Sequence, residues 1–283
     1  MKPGRPARAG LAACVAAACA MGGMASPGAS AAEPLRICAL EHNAPYSNRR
    51  TDDGFDLATA RAVAAKLGRS IEVVWVPNAE RLSEIDDNDF PVRKLAKGGC
   101  DALFSVPGPA RDSLREAPGL ALGKPYYGAA FELYGRAEEQ RGTLRQLRDA
   151  PVANQAASVG AFALRLVGAK SRTFFEPGPA LKSVATGEAE LALLWGPAAE
   201  PLLKDGGIVG VSRVTSYLPP PALSWNEHVA TREADEALRE AIDTAIASLS
   251  GDGTLARLAA AHGLPWHPPF ERTYSLGEMN ALR

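Results

Sequence analysis

The chain has 283 residues, with 31 Lys and Arg against 32 Asp and Glu for a formal net charge of −1. Glycine and proline make about a sixth of it, too little for low-complexity disorder, and 46% hydrophobic residues is ordinary for a globular protein. The balance lacks the basic excess that usually marks a nucleic-acid binder, and the length suits two domains.

Lys2, Arg5 and Arg8 precede an apolar run over 11–25, and Ala29-Ser30-Ala31 follows it. A basic head, a short apolar middle and an A-x-A site predict a secretory signal peptide over 1–31, its run shorter than the roughly 20 residues of a spanning helix. The alternative is an N-terminal anchor, but the flank of Pro, Gly and Ser carries no basic stop signal. Cleavage would leave 28 Lys and Arg against 32 Asp and Glu, a net of −4. Cys14 and Cys19 would leave with the signal. Cys38 and Cys100 then form an even pair in an oxidising compartment, which predicts a disulfide if their strands are neighbours. Two buried free thiols are the alternative, since parallel neighbours often fail the geometry of a bridge.

Residues 35–40 read as a buried strand. Gly54 opens a helix in which Leu57, Ala60, Ala64 and Leu67 recur at helical spacing, and Gly68 stops it. Residues 71–76 are the next strand, ended by Pro77. A polar stretch to Asp89, a short helix through Leu95 and a strand at 101–106 follow. This alternation implies a parallel sheet with helices on its faces, and an order 2-1-3 sets the first and third strands side by side. Pro107-Gly108-Pro109 breaks the chain before a strand-like 129–134. Strands at 152–154, 173–175 and 190–195, with helices over 160–167 and 180–186, predict a second, smaller α/β unit. Residues 217–224, with three prolines, return as a stiff extended segment. A helix over 235–249 and a short one from Thr254 complete the pattern.

The chain resembles the bacterial extracellular solute-binding proteins of the amino-acid-binding type. The likeness rests on Leu35-Arg36-Ile37-Cys38-Ala39, Ala44-Pro45-Tyr46-Ser47, Gly54-Phe55-Asp56, Gly99-Cys100-Asp101, Lys124-Pro125-Tyr126-Tyr127, Gly187-Glu188-Ala189-Glu190 and Asp252-Gly253-Thr254, in that order along the chain. It implies a type II periplasmic-binding-protein-like α/β fold of two lobes around a central cleft, the second inserted in the first. Lobe 1 would take 32–134 and 216–283, and lobe 2 would take 135–215. Amino-acid binders of that family fork the ligand carboxylate with an Arg in a Thr-x-x-Arg turn; here Gly108-Pro109-Ala110-Arg111 keeps the Arg and loses the hydroxyl. Asn154-Gln155-Ala156-Ala157-Ser158 stands where a glycine-containing turn would meet the carboxylate, and Trp195 where an Asp would pair with the ammonium. A zwitterion desolvated without its counter-charge costs several kcal/mol, so an ordinary α-amino acid is a poor ligand.

Cys38 in the first strand, Gly98-Gly99-Cys100-Asp101 before the third, Val106-Pro107-Gly108 after it, Pro125-Tyr126-Tyr127 at the crossover and Leu194-Trp195-Gly196-Pro197 in the second lobe resemble a narrower family, the solute-binding-like proteins encoded beside pyrroloquinoline-quinone (PQQ) methanol dehydrogenases, the MxaJ and XoxJ types. That resemblance implies a periplasmic, non-catalytic accessory that contacts and helps activate or assemble the quinoprotein methanol dehydrogenase, with its cytochrome c as a second partner. The alternative is the substrate-binding protein of an ABC transporter, delivering a small organic solute to a permease. Tyr46, Arg111, Tyr126, Tyr127, Trp195 and Trp225 are the candidate cleft residues. Neither nucleic acid nor an integral membrane position is expected after signal removal. No cofactor or metal is expected. Glu84, Asp86, Asp87 and Asp89 lack the glycine and terminal glutamate of a calcium loop, and His262 and His267 lie off a common helix face. The sequence has no Gly-x-Ser-x-Gly elbow, His-Glu-x-x-His, phosphate loop or haem motif.

Overall fold

Strand β1 (Leu35–Leu40) and β4 (Ile71–Val76) form where the branched, apolar runs stand. The structure is a computed structural model that describes residues 32–78, 90–109, 114–115, 117–204 and 207–282. The predicted signal segment, the acidic stretch 84–89 and Arg111 lie outside the described residues.

Between β1 and β4 come the short pair β2 (His42–Asn43) and β3 (Ser47–Asn48) and helix α1 (Phe55–Lys66). Gly54 is required at the start of α1. Its φ is 142°, and a Cβ there would lie 2.3 Å from the Tyr46 carbonyl oxygen. That close approach lets Phe55 N and Asp56 N donate to the carbonyls of Pro45 and Tyr46, satisfying two of the open donors of the first turn. Helix α2 (Pro91–Ala96) leads to β5 (Ala102–Pro107). Strand β6 (Leu120–Gly135) follows, then β7 (Pro151–Gln155), α3 (Val159–Val167), β8 (Lys170–Phe174), α4 (Pro177–Ala185), β9 (Leu191–Trp195), α5 (Gly196–Lys204) and β10 (Ser212–Arg213). The chain returns through β11 (Ser224–Arg232), α6 (Glu236–Gly251), α7 (Thr254–Ala261) and α8 (Leu276–Asn280).

Besides the short β2, β3, β10 and α8, which the sequence reading did not include, three segments differ from it. Strand β6 runs 16 residues rather than six, because Leu120–Pro125 also pairs with β11 despite Gly123 and Pro125. The ladder shifts register at Pro125, the kind of irregularity where a residue without an N–H is tolerated. Helix α5 starts on Gly196-Pro197, which reads as a breaker yet suits a first helical turn. The proline run is extended only to Pro220 and then makes a short 3-10 turn at Pro221–Leu223, so the second crossing strand begins at Ser224, where the extended reading ended.

The hydrogen-bonded order is β4-β1-β5-β11-β6-β9-β7-β8, with β10 against β6. Strand β1 lies between its parallel neighbours β4 and β5, as the 2-1-3 order requires. Strand β11 is antiparallel to both β5 and β6. Strand β6 pairs with β11 from Leu120 to Ala130 and then with β9 from Phe131 to Tyr134. Because β6 and β9 run oppositely, the carboxyl ends of β7 and β9 point back toward those of β1 and β5. Two sheets therefore share one strand and face each other end to end across the Ala130–Phe131 step. One core, built on Ile37, Phe55, Tyr127, Ile246 and Leu255, fills the first sheet's α1, α6 and α7 face. A second, built on Phe131, Leu147, Leu164 and Leu193, lies under α3.

Cys38 and Cys100 are bonded, their Cα atoms 5.6 Å apart. Cys100 precedes β5 in the turn after α2, so the bridge joins β1 to that turn and packs with Leu95, Leu103 and Val106. The 62-residue separation encloses β1's exit, α1, β4 and α2. In the loop-entropy picture such a crosslink stabilises by roughly 4 kcal/mol. The Cys38→Ser/Cys100→Ser variant is expected to lose on the order of 3–4 kcal/mol in urea titration, whereas a loss under about 1 kcal/mol would show that the bridge is dispensable.

Candidate functional site

The chain leaves β1 through α1 to β4 on one side, and β5 lies on the other. The carboxyl ends of β1 and β5 are thus the switch point at which open α/β sheets bind ligands. A cavity of about 230 Å³ opens there. Leu40 and Asn43 line it beyond β1, Asp56 from the first turn of α1, Ser105 and Val106 from β5, and Val92 from α2.

Asp56 is 8% exposed. Its Oδ1 accepts from Ser105 Oγ at 2.5 Å and from the Tyr126 hydroxyl at 3.4 Å, while Ser105 N donates to that hydroxyl at 3.0 Å. Ser105 has φ 51°, a left-handed backbone that costs a residue with a side chain about 1 kcal/mol or more. The three hydrogen bonds hold it there. Opposite, the β6–β11 register slips between Glu227 and His228, so Tyr126 is an extra residue between the Tyr127 and Pro125 rungs. A bulge puts consecutive side chains on one face. Both tyrosines consequently reach Phe55, with ring centroids at 6.1 and 5.1 Å.

Glu227 is 5% exposed, and its Oε2 is buried without a hydrogen-bond partner. Burial pushes its carboxyl up to about 8, and the nearby Asp56 adds to the rise. Burial also lifts Asp56 to about 7, with the Ser105 and Tyr126 hydrogen bonds opposing it. The Tyr46 phenol is raised too, by burial first and by Glu227 second.

A seam of aromatic rings crosses the step between the sheets. Phe131 and Trp195 are opposed on β6 and β9, with ring centroids 5.5 Å apart and edge to face. Trp195 meets Trp225 of β11 at 5.5 Å and 78°, and Trp225 stacks on Tyr274 at 5.1 Å and 16°. Trp195 packs against both principal cores. Edge-to-face pairs of this kind contribute about 0.5–1.5 kcal/mol beyond burial.

The predicted site residues fall into two groups. Tyr46, Tyr126 and Tyr127 surround Asp56 and Glu227; Trp195 and Trp225 form the seam. Tyr126 and Tyr127 are 1% and 0% exposed, and the Tyr127 hydroxyl donates to the Pro265 carbonyl at 2.8 Å, so these two rings support the site from behind. Sequence reading missed Asp56, Ser105 and Glu227. Asp56 was visible only as part of a fold motif, Ser105 as the lone hydroxyl in an apolar strand, and Glu227 as a lone acid in Trp225–Val229. In the turn before α3, Ser158 accepts from Ala161 N at 3.1 Å and donates to the Gln155 carbonyl at 2.7 Å, so its hydroxyl is spent on capping. His262 and His267 are held apart by different acids, Asp53 at 3.2 Å and Glu132 at 2.5 Å.

No protein-family model matches the chain, and no curated protein matches it. Solved structures do. The L-cystine solute receptor of Neisseria gonorrhoeae, in its unliganded open conformation, superposes with TM-score 0.67 at 18% identity, over 82% of this chain and 93% of that one. The second substrate-binding domain of Lactococcus lactis GlnP gives 0.65 at 16%, over 86% and 98%. The chain has the type II periplasmic-binding-protein fold. Within that fold it is also similar to MxaJ from Methlophaga aminisulfidivorans MPT, with TM-score 0.59 and 19% identity over 82% of this chain and all of that one. Among the described residues, no helix is long and apolar enough to cross a membrane.

The two raised carboxyls give the binding-protein fold a signed pH dependence. Between the unfolded value near 4 and the folded values near 7 and 8, the native state holds protons that the unfolded chain has released. Their contribution to stability is therefore full below about pH 4 and is lost as pH rises toward 8, at up to about 1.4 kcal/mol per pH unit for each group. Urea midpoints measured from pH 5 to pH 8 should fall, and Asp56→Asn should flatten the slope. A slope unchanged by Asp56→Asn would refute the assignment to Asp56.

Proposed function

We propose that the chain is a non-catalytic periplasmic accessory of a PQQ methanol dehydrogenase, acting by protein contact with lobe 1 over 32–134 and 216–283 and lobe 2 over 135–215. The observation that carries this reading is a strap. After α7 the chain runs across both crossing strands: Gly128 N donates to the His267 carbonyl, Asn226 exchanges two hydrogen bonds with the Phe270 backbone at 2.8 and 2.9 Å, and Tyr274 N donates to the Ser224 carbonyl. Leu264 at one end is in the first core and Met279 at the other is in the second. Even Gly128 fits this contact, because a Cβ there would come within 2.7 Å of the Phe270 ring and the Pro268 carbonyl oxygen.

A transport receptor closes by rotating its lobes about the crossing strands. Here those strands are bound along their length by a third segment, and Trp195 fills the step with rings where the family's amino-acid binders keep an acid. A body of fixed shape suits partner docking better than solute capture. The sequence resemblance to the dehydrogenase accessories and the structural likeness to MxaJ support the same reading. The signal peptide expected from the sequence and the Cys38–Cys100 bond support a periplasmic location.

A second reading, a receptor passing a small organic solute to an ABC permease, is favoured by the cavity beside Asp56. Two measurements separate them. Deleting the gene is expected to lower methanol dehydrogenase activity and PQQ loading in the periplasm, and complementation with Trp195→Ala should restore less than the wild-type chain does. Undiminished activity and loading in the deletant would overturn the accessory role.

A further inference from the structure

Asp56 is the sole charged side chain among the described residues that line the 230 Å³ cavity. Among the described residues, both hydroxyls bonded to Asp56 end on Oδ1, so Oδ2 is the oxygen an occupant would engage. Among the described residues, the groups facing Asp56 come from five elements: Tyr46 before α1, Ser105 on β5, Tyr126 on β6, Glu227 on β11 and His262 after α7. Of these, His262 alone can carry positive charge, and its ring is held by Asp53 at 3.2 Å and by the Leu258 carbonyl at 2.8 Å. Glu227, with its unpartnered buried Oε2, adds a second acid behind the first.

Such a wall disfavours an anion, and a buried carboxyl gains most from a cation. Most of the rest of the lining is apolar, with Leu40, Val92, Leu103, Phe104 and Val106, and the polar groups beside them, Asn43, Ser47 and Ser105, are uncharged. The left-handed Ser105, fixed by three hydrogen bonds, presents the carboxylate in one orientation before anything binds.

We propose that this cavity binds a small organic cation, its ammonium group on Asp56 Oδ2 and a short aliphatic body against Leu40, Val92 and Val106. The assignment stands apart from partner docking and holds whether or not the chain contacts a dehydrogenase. Calorimetric titration of the purified chain with n-butylammonium, and with 1-butanol and butyrate as uncharged and anionic counterparts, tests it near neutral pH. Saturable binding of n-butylammonium is expected, with both counterparts weaker by at least about ten-fold. Its heat should differ between buffers of unlike ionisation enthalpy, because Asp56 gives up a proton to the solvent as the cation seats. Asp56→Asn should weaken binding at least about ten-fold, and Val92→Trp, which fills the cavity and leaves the acid in place, should abolish it. Absence of saturable n-butylammonium binding up to about 10 mM, equal binding of 1-butanol, or wild-type affinity in Val92→Trp would overturn the proposal.

Discussion

Everything functional in this molecule depends on the pairing of β6 with β11. These antiparallel strands carry the chain from one sheet to the other and back, and their ladder shifts register twice, the first time at Tyr126. Had the register continued without a slip, alternation would turn Tyr126 and Tyr127 to opposite faces. The slip keeps both on Phe55, brings the Tyr126 hydroxyl to Ser105 and thereby fixes the Asp56 carboxyl at the end of β1 and β5. A single inserted rung links strand pairing to the chemistry of the cavity.

The electrostatics of that region are unusual for a protein whose surface charges are well paired. Arg36 and Arg232 both meet Asp101, and Arg141 meets Glu139 and Glu190, all at partly exposed positions where such pairs contribute about 1 kcal/mol or less. Asp56, by contrast, is buried with its hydrogen bonds from hydroxyls, and Glu227 is buried with one oxygen that has no hydrogen-bond partner. Burying acids in this way costs stability unless a proton or a cation accompanies them. Retaining Asp56 in the wall of a strand-end cavity, with Glu227 near it, is easier to understand as a binding device than as packing.

Much of the architecture was legible because hydrophobic period and chain breakers are local signals. The strands at 35–40 and 71–76 and the helix after Gly54 were readable from branched runs and helical spacing, and the alternation allowed the 2-1-3 order without fixing it. The long β6 was not, since Gly123 and Pro125 argue locally for a break and are accommodated only by a partner strand more than a hundred residues away. The site was legible in halves. Aromatic residues announce themselves by type, so Trp195, Trp225 and Tyr46 were found; Asp56, Ser105 and Glu227 are common residues whose importance comes from burial and from each other. The strap left no local mark either, because its backbone bonds carry no side-chain signature.

The aromatic seam also makes the hinge self-reporting. Trp195 belongs to the second sheet's β9, Trp225 to a crossing strand and Tyr274 to the strap, and the three rings lie in one continuous contact. Any rotation of one lobe against the other must slide an indole past an indole. Coupled indoles at such separations imprint the near-ultraviolet dichroism and quench one another's emission, so the relative position of the lobes is written into the protein's own optical spectrum, with no added dye.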